Sequence, residues 1–533
     1  MTRTGLAVFR WIWTACIVFA TSVPYLLNFF STPAHHHYTW IMPPYPEDSL
    51  AYMAWSQQAA HGSLLFQVKY TALPQSPFLF HPFFLICGWL SWLLGCDIGI
   101  VHWVLKAVGT ALFLITFFKY TDYLRLSGFQ SIAASILVGI SSGLGSLSVF
   151  SGFANWSRIL PADLLVPEVS TYWSLLWNPL FPYSLTLMLL TIYWLDRGTR
   201  EGRKSDLWFG GLATGILALI HPYSLPLLFI LALLITLVRR GAEGLGYLCR
   251  YFSVSFPSVL YLVLVTRFQS VISRHSSLGE MTSPSLPAYL LGFGIPLLIF
   301  AGGVVVGRGQ WVKQYWQLVL WFLVSVALSY FPFWFQRKLI FGAHIPLCIL
   351  AGISFDLLLT RCFGPRARRW ALAVAAVVLV PLLVSTPIAL LASESRVVRA
   401  NADGAYYISD DMMNGLKFLK GRSKPNQVVF ATPTTSRLTP AFSGNTVVWG
   451  HWAMSVDREE RQKWITDLFN QNSDWADDKR SSEFWGTDIQ YIFADGQLKQ
   501  SIEQNPWRWQ TILRDADKVF SNGSVAIYQH HQR

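Results

Sequence analysis

The stretch PFLFHPFFLICGWLSWLLG, residues 77–95, decides how this chain is threaded. It is one of twelve apolar segments, at roughly 6–29, 78–95, 98–119, 130–149, 173–195, 207–220, 223–238, 251–268, 287–306, 316–333, 338–358 and 370–392. Runs of about 20 apolar residues match the hydrocarbon thickness of a bilayer. Basic residues decide which of them cross, because Lys and Arg beside a span stay on the cytoplasmic side. The clusters are Arg3/Arg10, Lys119/Arg125, Arg197/Arg200/Arg203/Lys204, Arg239/Arg240/Arg250, Arg308/Lys313 and Arg361/Arg366/Arg368/Arg369. Twelve simple crossings from a cytoplasmic N-terminus would put Lys119/Arg125 and DRGTREGRKSD (196–206) outside. If 78–95 does not cross, every cluster falls inside: seventeen basic residues are cytoplasmic, six are outside, and Lys106 lies within a span. Pro77 and Pro82 agree with this, since proline removes a helix hydrogen bond and crowds the preceding turn. The sequence therefore predicts a polytopic α-helical membrane protein with eleven crossings and one re-entrant or interfacial element.

On this threading the loops 30–77, 150–172, 269–286 and 334–337 share the outer face with the tail 393–533. So do Glu47, Asp48, Asp163, Glu168 and Glu280. Cysteine labelling of intact cells checks the scheme. A probe that cannot enter the cell is expected to label a cysteine at position 470 and to spare one at 203, and the reverse pattern would overturn it.

Composition agrees. Of 533 residues, 53% are hydrophobic and only 13% are charged, with a mean hydropathy of +0.38. Soluble domains carry roughly 25% charged residues. The net charge of +12 is unevenly placed. Residues 393–533 hold 17 basic and 17 acidic residues, and 1–392 hold 24 and 12. The excess therefore flanks spans, where it sets topology, and no nucleic-acid partner is implied. The six cysteines lie in or beside apolar runs and form no disulfide or zinc pattern. The first run, about 5–30, is too long for a signal-peptide core and reads as a retained helix.

Two regions follow: a transmembrane domain, 1–392, and an α/β domain, 393–533, placed outside. In the tail, SDDMMNGLKFLKG (409–421) reads as a helix capped by Ser409 or Asp410. DREERQKWITDLFNQN (457–472) reads as an amphipathic helix with apolar Trp464, Leu468 and Phe469. QVVFATP, NTVVWG, IQYIFAD and GSVAIYQ read as strands. ASESRVVRANADGAYY, at the junction, reads as a polar linker.

Acids are scarce, so MPPYPEDSLAYMAWSQQAAHG (42–62) stands out. Asp48 and Tyr52 are four apart and share one side of a helix at the membrane surface. The bland reading is a surface helix with Glu47 and Asp48 at its positive end. The functional reading is a carboxylate that deprotonates an acceptor hydroxyl. Asp163 and Glu168 form a second outer acidic group, and each alone is most simply a solvated loop acid. Cations on the same side are Lys69, Lys106, Arg337 and Lys338, with His81 and His102 near them and His221 in the outer turn HPYS. A charge within a span, such as Lys106, is costly unless paired or facing water. Snorkelling accounts for Lys338, while clustered cations suit an anionic head group such as a lipid phosphate. His451 and Trp452 in WGHWAMS are the tail residues expected to face a cavity, Trp452 as a stacking surface for a sugar ring. The bland alternative for both is domain core.

Four stretches carry a resemblance to a known family. They are EDSLAYMAWSQQAAHG, PFLFHPFFLICGWL, GLATGILALIHPYSLPLL and RKLIFGAHIPLCILAG. In the tail, VVWGHWAMSVDREERQKWITDLF and VFSNGSVAIYQ are similar to outer domains of bacterial members. Together they resemble the GT-C superfamily, membrane glycosyltransferases that use polyprenyl-phosphate sugars. The resemblance implies a catalytic carboxylate in the first outer loop, which Asp48 matches and for which Glu47 competes. It implies an assisting acid in the next loop, Glu168 or Asp163, and a later basic residue on the carrier phosphate, matched loosely by Arg337. Tyr52, Lys69, His81, His102, Lys106, Asp163, His221, Lys338, His451 and Trp452 are then expected to line the substrate site. The order Glu47-Asp48 departs from the Asp-Glu order of some branches. The Trp-Trp-Asp signature of oligosaccharyltransferases is absent, which argues against whole-glycan transfer and a required metal. No cofactor is implied, and a divalent metal stays open.

The implied partners are a polyprenyl-phosphate sugar donor, a lipid, glycan or protein acceptor, and membrane lipids. The implied place is a cell membrane, the inner membrane of a bacterium, with the active site and tail outside the cytoplasm. Inversion at the sugar carbon is expected from the family. The competing class is a lipid-linked glycan transporter or flippase, which would show paired repeats and broken helices at the midplane.

Overall fold

The computed structural model describes residues 2–269, 271, 281–402, 404–457, 459–463, 488–504 and 506–531. Glu280 lies outside the described residues, as does most of the helix expected at 457–472 with its Trp464, Leu468 and Phe469.

The chain is mostly helical. Among the described residues six stretches are long and apolar enough to cross a bilayer: Arg3–Phe30, Ile98–Tyr123, Pro222–Phe268, Leu286–Val306, Gln336–Cys362 and Pro365–Ala400. Three apolar helices are shorter: Pro82–Leu94, Gly128–Ile140 and Asp206–Ile220. The protein is a multi-pass membrane protein. Its first four helices are α1 (Arg3–Phe30), α2 (Pro46–Ala60), α3 (Pro82–Leu94) and α4 (Ile98–Tyr123). The opening stretch becomes α3, thirteen residues between Pro82 at its first turn and Gly95 at φ +63°. At 1.5 Å per residue it is about 20 Å long, short of the roughly 30 Å of hydrocarbon.

Some predicted segments are interrupted, for local reasons. The expected span 173–195 is two helices, Thr171–Trp177 and Phe181–Glu201. Pro179 forces Asn178 out of helical geometry, to φ −114° and ψ 126°. The segment 130–149 splits into Gly128–Ile140 and Gly145–Phe150. The polar stretch expected as a linker is instead helical up to Ala400, with Val398 fully buried. It holds neither Gly nor Pro before Asn401, so nothing breaks the helix earlier.

Two compact units are present. The first comprises Met1–Pro24, Val104–Val263 and Glu280–Ser393; the second comprises Tyr25–Trp103, Leu264–Gly279 and Glu394–Arg533. The sequence division at 392/393 had grouped loop 30–77 with the spans; in the structure that loop clusters with the tail.

The first unit is built around His344–Cys362, which packs against Gly128–Ile140 and Leu286–Val306. Leu286–Val306 kinks at Gly294, where φ is +44° and a Cβ would stand 2.9 Å from the Cα of Gly143. Only glycine fits both that backbone and that approach. Several basic clusters are held by acids of the same unit. Arg10 bonds Asp122 at 2.5 and 2.8 Å, Arg197 bonds Asp206 at 2.5 and 2.8 Å, and Arg368 bonds Asp356 at 2.7 Å. Arg239 pairs with buried Asp196.

The second unit holds a five-stranded mixed sheet. A short pair comes first in the chain, β1 (His36–Tyr38) antiparallel to β2 (Tyr407–Ser409). The sheet is then β3 (Val428–Ala431), β4 (Thr446–Val447), β5 (Ile489–Ala494), β6 (Ala516–Ser521) and β7 (Ala526–His530), in the order β4-β3-β5-β7-β6. NTVVWG thus yields only a two-residue strand. Alternation along β3 gives the sheet two apolar faces. Val428 and Phe430 join Ile492 and Trp509 on one. Val429 and Ala431 join Tyr491 and Phe493 on the other, together with Leu50, Val68, Tyr70 and Phe78 of the first loop. The expected helix of the tail forms at Asp410–Arg422, and Ser409 caps it by accepting from the N–H of Met412.

Candidate active site

In the second unit, α2 begins at Pro46 and carries Glu47 and Asp48 in its first turn. Proline suits that position because its missing N–H has no helical partner there. The unpaired N–H groups and the helix dipole favour carboxylates at this end. Helix Pro433–Phe442 packs along one side of α2, and α3 packs along another. The second contact depends on Gly88: a Cβ there would meet the Ser56 carbonyl oxygen at 2.3 Å.

The two neighbouring acids have different surroundings. Glu47 Oε1 lies 3.3 Å from Nη1 of Arg437, an ion pair with both side chains partly exposed. Asp48 Oδ1 instead accepts a hydrogen bond from Trp452 Nε1 at 3.1 Å and faces His451 Nε2 at 3.5 Å. The tail therefore brings both of its expected residues to Asp48. Arg437 was missed, because RLTPAF carries no motif and its role comes from helix packing alone.

Tyr52 stacks on Phe84, which also carries His81 at a centroid distance of 4.0 Å. His102 Nε2 sits 2.9 Å from Ser56 Oγ, and Phe83 and Phe84 border its ring. These residues form a buried aromatic bed beneath α2. Lys69 has a different setting from the expected one. Its ammonium donates to Asn426 Oδ1 at 2.8 Å and the Pro425 carbonyl at 3.0 Å, and burial lowers its pKa to about 8. It ties the first loop to the tail. Tyr70, fully buried, has its phenol pushed up by burial and then by Glu47.

In the first unit three short helices converge. Gln336–Ile340 packs against Pro167–Val169 and against Pro222–Ser224. This places the segment of Arg337 and Lys338 beside that of Glu168 and beside the turn of His221. Glu168 is buried, and its Oε2 has no hydrogen-bond partner among the described residues. The Arg337 Nε is likewise buried without one. Lys338 Nζ lies 4.3 Å from the centroid of Tyr223. His221 Nδ1 is 2.9 Å from Ser224 Oγ, and its ring packs on Phe341.

Asp163 is differently placed. Its Oδ2 accepts from Ser142 Oγ at 3.1 Å and from the Gly145 N–H at 3.2 Å, fixing the turn beside Gly143. Burial pushes its carboxyl up to about 6, and these hydrogen bonds oppose that shift. Lys106 donates to the Thr21 carbonyl at 2.7 Å and the Leu176 carbonyl at 3.1 Å. Leu176 lies in the last turn of its helix, where carbonyls lack helical partners, so this buried cation has a structural use. Sequence reasoning also passed over His344, buried between Ser141 Oγ at 3.2 Å and Thr171 Oγ1 at 3.0 Å. No cluster of three His, Cys, Asp or Glu side chains suited to a metal occurs among the described residues.

No family model matches the sequence. Over 242 residues the chain is 28% identical to an alpha-(1->3)-arabinofuranosyltransferase of Corynebacterium glutamicum, covering 44% of this chain and 46% of that protein. The match thus spans under half of that curated relative. Three solved structures share the fold. The arabinofuranosyltransferase AftD from Mycobacteria has a TM-score of 0.53 at 13% identity, over 100% of this chain and 40% of that one. ArnT from Cupriavidus metallidurans, bound to undecaprenyl phosphate, has a TM-score of 0.53 at 12% identity, over 99% and 98%. The oligosaccharyltransferase of Archaeoglobus fulgidus in the apo form has a TM-score of 0.50 at 10% identity, over 98% and 74%. The chain thus shares its fold with three membrane glycosyltransferases of known structure.

Proposed function

We propose that the protein is an inverting glycosyltransferase that moves one sugar from a polyprenyl-phosphate carrier to a hydroxyl acceptor on the outer face of the membrane. The observation that carries this is the inequivalence of the two acids at the start of α2. Glu47 is committed to Arg437, while Asp48 is held by the indole N–H of Trp452. A general base needs a carboxylate held in a fixed orientation, and we assign that role to Asp48. The acceptor oxygen bonds the anomeric carbon as its proton passes to Asp48. The bond from that carbon to the carrier phosphate breaks, and the phosphate leaves with the electron pair.

The leaving phosphate needs donors and positive charge. Arg337 and Lys338 are assigned to it, with the buried Glu168 as the assisting acid. The relative in Corynebacterium makes arabinofuranose the first donor sugar to try. The acceptor is a lipid, glycan or protein, and the setting a bacterial inner membrane.

The test offers the purified protein a panel of polyprenyl-phosphate sugars and scores each for consumption. Arg337→Ala is expected to raise the donor KM about 10- to 100-fold, the loss of a charge-assisted hydrogen bond, with acceptor preference unchanged. Arg337→Lys is expected to be impaired too, since an ammonium cannot bind a phosphate bidentately. Unchanged donor dependence in both variants would remove Arg337 from the site. Consumption of no donor in the panel would remove the reading as a whole.

A further inference from the structure

We infer that the tail turn 450–455 is a positioning device for the base, in which His451 and Trp452 together aim two N–H donors at one oxygen of Asp48. The inference rests on the function proposed above. It gives Trp452 a different role from the sugar-stacking surface that the sequence suggests.

The turn is held by five internal hydrogen bonds. The N–H groups of Gly450 and His451 both donate to Ser455 Oγ at 3.0 Å, and the Ser455 N–H returns to the His451 carbonyl at 3.2 Å. A Cβ on Gly450 would stand 2.7 Å from the Ser436 carbonyl oxygen, so the turn also sits hard against helix Pro433–Phe442. Within it, His451 Nδ1 accepts from the N–H of Ala453 at 3.0 Å and of Met454 at 3.2 Å. That lone pair is therefore in use. The proton of the neutral ring must sit on Nε2, and an imidazolium also carries a hydrogen there. In either state Nε2 presents an N–H toward Asp48, 3.5 Å away.

Burial completes the arrangement. The His451 ring is 2% exposed, packed on Tyr70 and Trp452. Its Nε2 has no hydrogen bond among the described residues. A buried N–H without a partner is unfavourable, so this one is poised to shorten onto Asp48 when acceptor displaces water. Trp452 Nε1 already donates to the same oxygen. Two donors from a rigid turn fix the plane of the carboxylate. Ionisable groups around this site include His451, which faces Asp48, and Glu47, which precedes it in sequence and pairs with Arg437. Tyr70 faces His451, and His81 opens the helix packed behind.

Trp452→Phe separates positioning from stacking, because phenylalanine keeps an aromatic face and loses the N–H. The wild-type protein, Asp48→Asn, Trp452→Phe, His451→Phe and His451→Gln are assayed with the polyprenyl-phosphate sugar that the wild type consumes. The expected result is a kcat about 100-fold lower in Trp452→Phe and in His451→Phe, with donor KM unchanged. His451→Gln retains an N–H at the Nε2 position and is expected to recover much of the rate. Carbodiimide labelling of Asp48, read by mass spectrometry, needs no substrate. It reads how open the carboxyl is to attack, so labelling is expected to rise in Trp452→Phe, which loses the hydrogen bond on Oδ1. Normal kcat in Trp452→Phe with unchanged labelling would overturn the positioning role, even with Asp48→Asn inactive. An active Asp48→Asn would instead overturn the assignment of the base.

Discussion

Asp48→Asn is expected to abolish sugar transfer while expression and donor binding stay near normal. Loss of a general base typically lowers the rate by ~10²–10⁴, and asparagine cannot take the proton of the attacking hydroxyl. The substitution nearly keeps the shape of the side chain, and its amide oxygen can still accept from Trp452 Nε1. A folding defect is therefore not expected. Glu47→Gln is the matched control. It breaks the pair with Arg437, whose side chain is 20% exposed against 26% for Glu47, so the stability cost is about 1 kcal/mol or less. Its transfer rate should stay within about tenfold of normal, since Glu47 is assigned no proton. The measurement is single-turnover transfer beside donor binding. A normal rate in Asp48→Asn with an inactive Glu47→Gln would move the base to Glu47.

Truncation after Ala392 is expected to abolish transfer and to unfold the first outer loop as well. Were the tail a separate domain on a linker, its removal would spare the rest. The structure gives a different expectation. Leu50, Val68, Tyr70 and Phe78 share one core with Tyr406, Leu416, Val429 and Phe493 of the tail. Each large apolar side chain returned to water forfeits about 1.5–3 kcal/mol. Four such losses exceed ~6 kcal/mol, comparable with the whole stability of a domain. The cut also removes Asn426, which holds the Lys69 ammonium, and the two residues at Asp48. Limited proteolysis of membranes checks this. Rapid new cleavage within residues 30–77 of the truncated protein is the expected result, and an unchanged pattern with full transfer would contradict it.

Much of the fold was legible in the sequence because its signals are local. Span length, basic clusters and helix-breaking prolines act over a few residues, and they suffice for a multi-pass helical protein. Ser409 as a cap and the alternating strand at 428–431 are of the same kind. The short motifs of the first loop and the last spans carried a resemblance to membrane glycosyltransferases, whose fold the chain shares.

Other features were decided only by the fold. ASESRVVRA reads as a linker because it is polar, yet the buried Val398 shows that a core lies beside it. Lys69 and Asp163 read as site residues because charges are rare here. In the structure each serves the backbone around it, an outcome set by neighbours hundreds of residues away for Lys69 and about twenty for Asp163. Glu47 and Asp48 are adjacent in sequence and nearly alike in local context. Arg437 on one and Trp452 on the other distinguish them, across separations that no pattern in a single sequence encodes. The sequence by itself determined which chemistry is present and which segments are helical or apolar. The different surroundings of the two adjacent acids fell to tertiary structure, because carboxylate chemistry is set by the few atoms within about 4 Å, and chain folding alone selects those atoms.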